Sequence, residues 1–179
     1  GASAVIFTTD KPRVFTNAAG FYGAQGTDNH KGLELAAFGE ITRGLKVLGG
    51  VTFLDAKQDS TGSATTDGKR VIGVPKVQGS LGAEWDIPGV QGFSVNSRVT
   101  ATGSSYADAT NTLKVSGWTR LDVGARYLTE VQGKLVTIRA RLDNVSDRNY
   151  WASVGGSEGS GYLVAGNPRT FSLTASIDF

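Results

Sequence analysis

The segment Leu142–Phe179, LDNVSDRNYWASVGGSEGSGYLVAGNPRTFSLTASIDF, decides the fold, because it ends in a run whose alternate side chains are Phe171, Leu173, Ala175, Ile177 and Phe179. Ser172, Thr174, Ser176 and Asp178 fall between them. One face of such a strand is apolar and closes on a C-terminal aromatic, and the other is polar. That is the alternation of a strand with lipid outside and a wet lumen inside. A soluble strand can carry the same alternation. What favours a membrane is its repetition along the chain in segments of about ten residues, the length a tilted strand needs to cross a bilayer.

Working outward, the sequence predicts about nine strands and no helix, since no window sustains apolar spacing at i, i+3, i+4 and i+7. The candidates are residues 3–9, 17–24, 31–41, 45–56, 76–87, 93–104, 118–130, 134–145 and 170–179. Phase is consistent from the fifth onward. Val77, Leu81, Ala83 and Trp85 oppose Gln78, Ser80 and Glu84, and Val95 and Val99 oppose Asn96 and Arg98. Likewise Leu121, Val123 and Tyr127 oppose Arg120, Asp122 and Arg126, and Val136, Ile138 and Ala140 oppose Thr137, Arg139 and Arg141, with Leu135 out of phase. In the third and fourth candidates Phe38, Leu48 and Leu54 fall on the nominally polar side. The apolar rows are expected on the outside wall.

Composition agrees with this class. The 179 residues contain no Cys, no Met, 25 Gly, 4 Pro and a net charge of +2, which excludes a disulfide scaffold and a strongly basic nucleic-acid binder. No apolar run reaches the length of a transmembrane helix, whereas alternating strands give the near-neutral mean hydropathy observed. Because the chain starts at Gly1 with the strand-like AVIFTT, any targeting segment is expected to lie outside it.

The connections alternate in length. Short turns fall at 42–44, 88–92 and 131–133, and long polar loops at 57–75, 105–117 and 146–169. Outer-membrane barrels have short periplasmic turns and long extracellular loops, so the last strand is expected to run inward. With nine strands the first also runs inward and the termini lie on opposite sides. Complete bacterial barrels have an even strand count, so the chain reads as a fragment.

Four stretches resemble the TonB-dependent outer-membrane receptors, in particular their siderophore-receptor branch. Leu142-Asp143-Asn144-Val145-Ser146-Asp147-Arg148-Asn149-Tyr150-Trp151 is similar to that family's penultimate-strand motif, and Gly166-Asn167-Pro168-Arg169-Thr170 to its turn into the last strand. Lys31-Gly32-Leu33-Glu34-Leu35 and Gly73-Val74-Pro75-Lys76 resemble upstream strand entries in the family's order. The resemblance implies an all-β, antiparallel transmembrane β-barrel segment. Residues 1–179 would supply about nine C-terminal strands of a roughly 22-strand barrel with a plugged lumen. It also implies an N-terminal plug domain and a TonB-engaging segment, both absent from this sequence. The expected setting is the outer membrane of a Gram-negative bacterium, in contact with its lipid. The expected function is import of ferric siderophore with energy delivered through TonB. Import of another nutrient, and a small complete barrel with a structural or adhesive role, stay open as alternatives.

On the polar face Glu84, Arg98, Arg120, Asp122, Arg126, Arg139 and Arg141 interleave both signs. They form ladders of cross-strand pairs, or, as the resemblance implies, also contact a plug domain; the two readings are compatible. Trp151, Tyr162 and Tyr150 offer rings to a siderophore above the wall, Arg70 a positive charge, and an interfacial aromatic girdle is the competing explanation for the rings. By resemblance Phe179 is the signal read by the barrel-assembly machinery. Nothing points to an enzyme or a cofactor. The single His30 has no catalytic partners in sequence, Asp55, Asp59 and Asp67 lack the spacing of a calcium loop, and Gly155–Gly161 opens no helix as a phosphate loop would.

Overall fold

The computed structural model describes residues 1–17, 19–157 and 160–178. Its strands are β1 (Ala2–Thr16), β2 (Tyr22–Thr42), β3 (Leu45–Asp59), β4 (Val77–Asp86), β5 (Phe93–Thr102), β6 (Ser105–Tyr106), β7 (Lys114–Val115), β8 (Trp118–Val131), β9 (Lys134–Asp143), β10 (Trp151–Ser157), β11 (Ser160–Ala165) and β12 (Thr170–Ile177). One antiparallel sheet runs β1-β2-β3-β4-β5-β8-β9-β12, while β6–β7 and β10–β11 form separate two-stranded ladders within the loops. The described residues contain no helix.

The wall therefore has eight strands where alternation predicts about nine. Residues 10–13 and 28–30 read as loops in the sequence because they are polar on both faces. They are in fact paired arms of one long hairpin, with Asp10 opposite Asn29 and Lys11 opposite Asp28. Alternation fails there for a physical reason. Outer-face rows are apolar up to Ile6–Leu33–Phe53–Val77, and the next rows up carry Lys31–Asp55 and Asn29–Lys57. Charges on the outer face mark the level where lipid gives way to water, and above it nothing requires an apolar side. An even count also makes β1 antiparallel to β12, so the two wall ends lie on the same side rather than opposite ones. The sheet stays open: β1 neighbours only β2, and β12 only β9.

Burial is inverted relative to a water-soluble domain. Ile6 is 86% exposed and Leu173 66%, whereas Gln58 and Asn144 are 1% and 0% exposed. Among the described apolar side chains only Ala56 and Ala109 are buried. Register explains this distribution, because directly opposed residues share a face. The row Trp85–Val95–Ala125–Ala140–Leu173 crosses five strands on the outer face, and Tyr127–Ile138–Ala175 lies beside it. Val95, Val123, Ile138 and Leu173 thus face outward as expected. On the opposite face Glu40–Lys46–Glu84–Asn96 forms one row, and Phe38–Leu48–Gly82–Arg98–Asp122 another.

The short turns are set by backbone conformation. Gln132 and Gly133 both have positive φ (53° and 77°), as a two-residue hairpin turn requires. Gly92 has φ 75°, and a β-carbon there would collide with the Leu128 carbonyl, so the 87–92 turn packs flush against β8.

Because the row containing Leu173 is apolar and exposed on the outer face, Leu173→Arg or Ile138→Arg in a bilayer-spanning wall should cost about 2–4 kcal/mol, while Ser172→Gln or Thr174→Gln on the opposite face should be mild. Equilibrium unfolding of the protein in detergent or lipid checks this, and equal costs on both faces would refute the facing.

Candidate functional site

The sequence motif after β9 builds a clasp at the loop-bearing end of the wall. Asn144 has φ 52°, a conformation that Asn tolerates better than most residues, and this turns its side chain inward. Its Nδ2 donates to the carbonyls of Arg148 (2.9 Å) and Asn167 (3.0 Å), and its Oδ1 accepts from the Arg148 N–H (3.0 Å). Its own N–H donates to Asp122 Oδ1 on β8 at 2.8 Å. Asp147 Oδ1 accepts from the Arg169 N–H at 3.0 Å, and the Arg169 guanidinium lies 3.5 Å from Asp147 Oδ2. Gly166 N–H donates to the Tyr150 carbonyl. The two ends of the 144–169 loop are thereby fastened to each other and to the wall.

A second cluster forms where the long loops fold over the polar face of β1–β3. Gln58 sits at its centre. Its Nε2 donates to the carbonyls of Arg70 and Ala109, both at 2.8 Å, and its Oε1 accepts from Arg13. The Arg70 N–H donates to Asn111 Oδ1 (2.7 Å), and Asn111 Nδ2 donates back to the Arg70 carbonyl (3.0 Å). Gly73 N–H donates to the Tyr106 carbonyl, and a β-carbon on Gly73 would strike the Val154 carbonyl of the β10–β11 hairpin. Three loops thus meet at one place. Burial works to raise the Asp108 carboxyl, but hydrogen bonds from the Thr110 hydroxyl, the Thr112 and Leu113 N–H groups and the Thr112 hydroxyl outweigh it. Asp108 is held well below the usual carboxylate range. The Thr61 N–H and hydroxyl do the same, more weakly, for Asp67. Both caps persist in mildly acidic medium, since a depressed carboxyl loses its contribution only as pH falls through its own low pKa.

The residues singled out in the sequence fall into three groups. Trp151 and Tyr162 lie exposed on the β10–β11 hairpin. Register places Trp151 opposite Ala165 and Tyr162 opposite Gly155, so the rings occupy opposite faces of the hairpin. Tyr150 and Arg70 are committed inside the structure. The Tyr150 ring packs on Trp118 (centroids 4.4 Å apart) and its hydroxyl accepts from Arg120 at 3.2 Å, while Arg70 donates to the Leu54 carbonyl and pairs with Asp55 at 3.6 Å. The charges all line the polar face. Arg120 binds Asp122 through Nε and Nη2 (3.2 and 2.9 Å), Arg126 reaches past Ser94 to Glu84 (2.8 Å), and Arg141 pairs with Asp143 (2.7 Å). Arg98 and Arg139 make no hydrogen bond or ion pair among the described residues. Phe179 lies outside those residues. Sequence reasoning did not single out Gln58, Arg13, Asp28 or Asn144 as a buried network. Gln58 continues the even-numbered polar phase of β3, which was the only signal for it.

Three comparisons bear on this geometry. The family model for TonB dependent receptor-like β-barrels matches residues 3–145. The ferrichrome receptor FcuA of Yersinia enterocolitica is 38% identical over 184 residues, covering 100% of this chain and 24% of the relative. The ferrichrome outer membrane transporter/phage receptor of Escherichia coli K12 is 31% identical over 138 residues, covering 74% of this chain and 18% of that protein. Among solved structures, BauA, the ferric preacinetobactin receptor of Acinetobacter baumannii, superposes with a TM-score of 0.87 at 34% identity, covering 99% of this chain and 27% of that one. The chain thus spans about a quarter or less of the length of these proteins.

Asn144→Ala in the full-length protein should cost about 1–3 kcal/mol, because buried carbonyls lose their donor and Ala disfavours the backbone conformation. A lowered heat-modification temperature, with faster trypsin cleavage at Arg148 and Arg169, checks the clasp. Unchanged cleavage would refute it.

Proposed function

The chain belongs to the TonB-dependent receptor β-barrel family, whose members are receptors and transporters rather than enzymes, and from that premise we propose that it forms part of the wall and extracellular mouth of an outer-membrane importer of ferric siderophore. The observation that carries the reading is the pairing of an inverted burial pattern with similarity, along the whole of this chain and about a quarter of the relative, to a protein named as a ferrichrome receptor. A lipid-facing wall explains the exposed apolar rows, and the long loops at one end supply the ligand-facing surface.

In this reading the outer rows contact outer-membrane lipid and the energy comes through TonB, engaged by a region outside this chain. Trp151 and Tyr162 contact the siderophore from the two faces of the hairpin. Tyr150 and Arg70 act on the ligand indirectly, by holding the Trp118–Arg120 wall top and the 57–70 loop in place. Arg98 and Arg139, which have no partner among the described residues, are the strongest candidates for contact with a plug domain. Glu84, Arg120, Asp122, Arg126 and Arg141 would contribute through groups already tied to one another. Phe179 would serve the assembly machinery.

Replacing Trp151 and Tyr162 with Ala in the full-length receptor should weaken ferric-siderophore binding by about tenfold while leaving its amount in the outer membrane unchanged. Phe179→Ser should lower that amount and leave the affinity of surviving molecules intact. Radiolabelled iron uptake normalised to surface-exposed receptor separates the two, and the opposite pattern would sink the assignment.

A further inference from the structure

Between the upper arms of β1 and β2 and the loop at Val71-Ile72 lies a cavity of about 490 Å³. It is bounded by Lys11, Phe15, Tyr22, Asp28, Gln58 and Val71, among others, none of which the motif resemblance singles out. That volume falls within the range of small-molecule sites, and the lining is mixed, with Lys11, Arg13, Asp28 and Gln58 set beside Phe15, Val71 and Ile72. Gln58 closes the floor, with its amide committed to Arg70, Ala109 and Arg13. Asp28 differs from Gln58. Its side chain is only 13% exposed, and Oδ1 is buried without any hydrogen-bond donor among the described residues. The Arg13 guanidinium stands 4.0 Å away, close enough to balance the charge and too far to donate. A buried carboxylate oxygen left in this way costs free energy until an N–H or O–H reaches it, and the adjoining cavity is where one can enter.

We infer that this cavity is a ligand subsite that takes the part of a ferric chelate bearing an N–H or O–H donor, with Asp28 Oδ1 as its acceptor and Phe15, Tyr22 and Val71 as its apolar wall. The inference rests on the siderophore-receptor reading and gives it a location separate from the β10–β11 rings. The Asp28 carboxylate selects for the donor, and the aromatic and aliphatic wall accepts the backbone that carries it. Lys11, exposed at the rim, favours a chelate without excess positive charge.

The test uses the full-length receptor purified in detergent, with ferrichrome and ferrioxamine as probes and tryptophan fluorescence quenching as the readout. Asp28→Leu should weaken the better-bound chelate by about tenfold, and Asp28→Asn by less, since its amide oxygen still accepts. Val71→Trp, which fills the cavity, should match the Leu variant. Tyr22→Ala removes part of the wall at a largely exposed position, so it should lower affinity by about threefold without touching the fold. If the wild type binds a chelate and every variant binds within about twofold of it, the inference falls while the receptor reading stands. Should the wild type bind neither chelate, the receptor reading falls and takes the inference with it. If Asp28→Leu or Val71→Trp loses the heat-modifiable folded form, Tyr22→Ala decides by the same threshold.

Discussion

In hydrocarbon a backbone N–H or C=O has no water to turn to, so each must find its partner within the sheet. That requirement underlies everything else in this chain. It forces unbroken ladders such as β3–β4 from Leu45–Trp85 to Phe53–Val77. An unbroken ladder locks register, and register assigns every side chain to lipid or lumen at once. The exposed Leu81, Phe171 and Leu173 and the buried Ser94, Asp122 and Thr137 are two results of one pairing scheme. Irregularities sit away from the band's middle: β1 and β2 slip between Arg13 and Val14, above the apolar rows, and β2 and β3 slip near Thr42, at the turn.

The polar face solves a second problem, that of holding charged groups near one another in a confined space. Short-range pairing dominates. Arg120 and Asp122 lie two residues apart on one strand, as do Arg141 and Asp143, and Arg126 spans to Glu84 two strands away. Exposed pairs of this kind contribute modestly one by one. Asp122 does more, because its second oxygen receives the Asn144 N–H and so links the charge network to the loop clasp. The same carboxylate orients Arg120 toward Tyr150, and the ring of Tyr150 lies on Trp118.

Much of this was legible in the sequence wherever two solvents meet across a strand. From Val77 onward lipid and lumen impose a strict two-residue period, and the predicted strands 93–104, 118–130 and 134–145 match β5, β8 and β9 to within a few residues. Where water bathes both sides the period vanishes, which is why Asp10–Arg13 and Asp28–His30 looked like loops and the strand count came out one too high. Phe38 and Leu48 broke the pattern on paper, and they do lie on the lumen side, exposed, in the row that ends at Arg98 and Asp122. The site was less legible than the wall. Aromatic residues in a loop announce themselves, but whether a ring is free, as in Tyr162, or stacked, as in Tyr150, depends on contacts made across about thirty residues of chain. The Gln58 cluster joins β3 to two loops, and no local spacing encodes such a meeting.

The clasp around Asn144 has a consequence for how such a surface can diversify. Asn144 to Asn167, Asp147 to Arg169 and Tyr150 to Gly166 tie the base of one excursion shut before the chain re-enters β12. What lies between Trp151 and Ala165 hangs from a closed neck, so a change there reaches β9 and β12 only through that neck, while Val154 against Gly73 ties it to the neighbouring loop. The neck acts as a graft junction. A foreign epitope inserted beyond Val154 would be carried on that neck with the register of β9 and β12 left as it is.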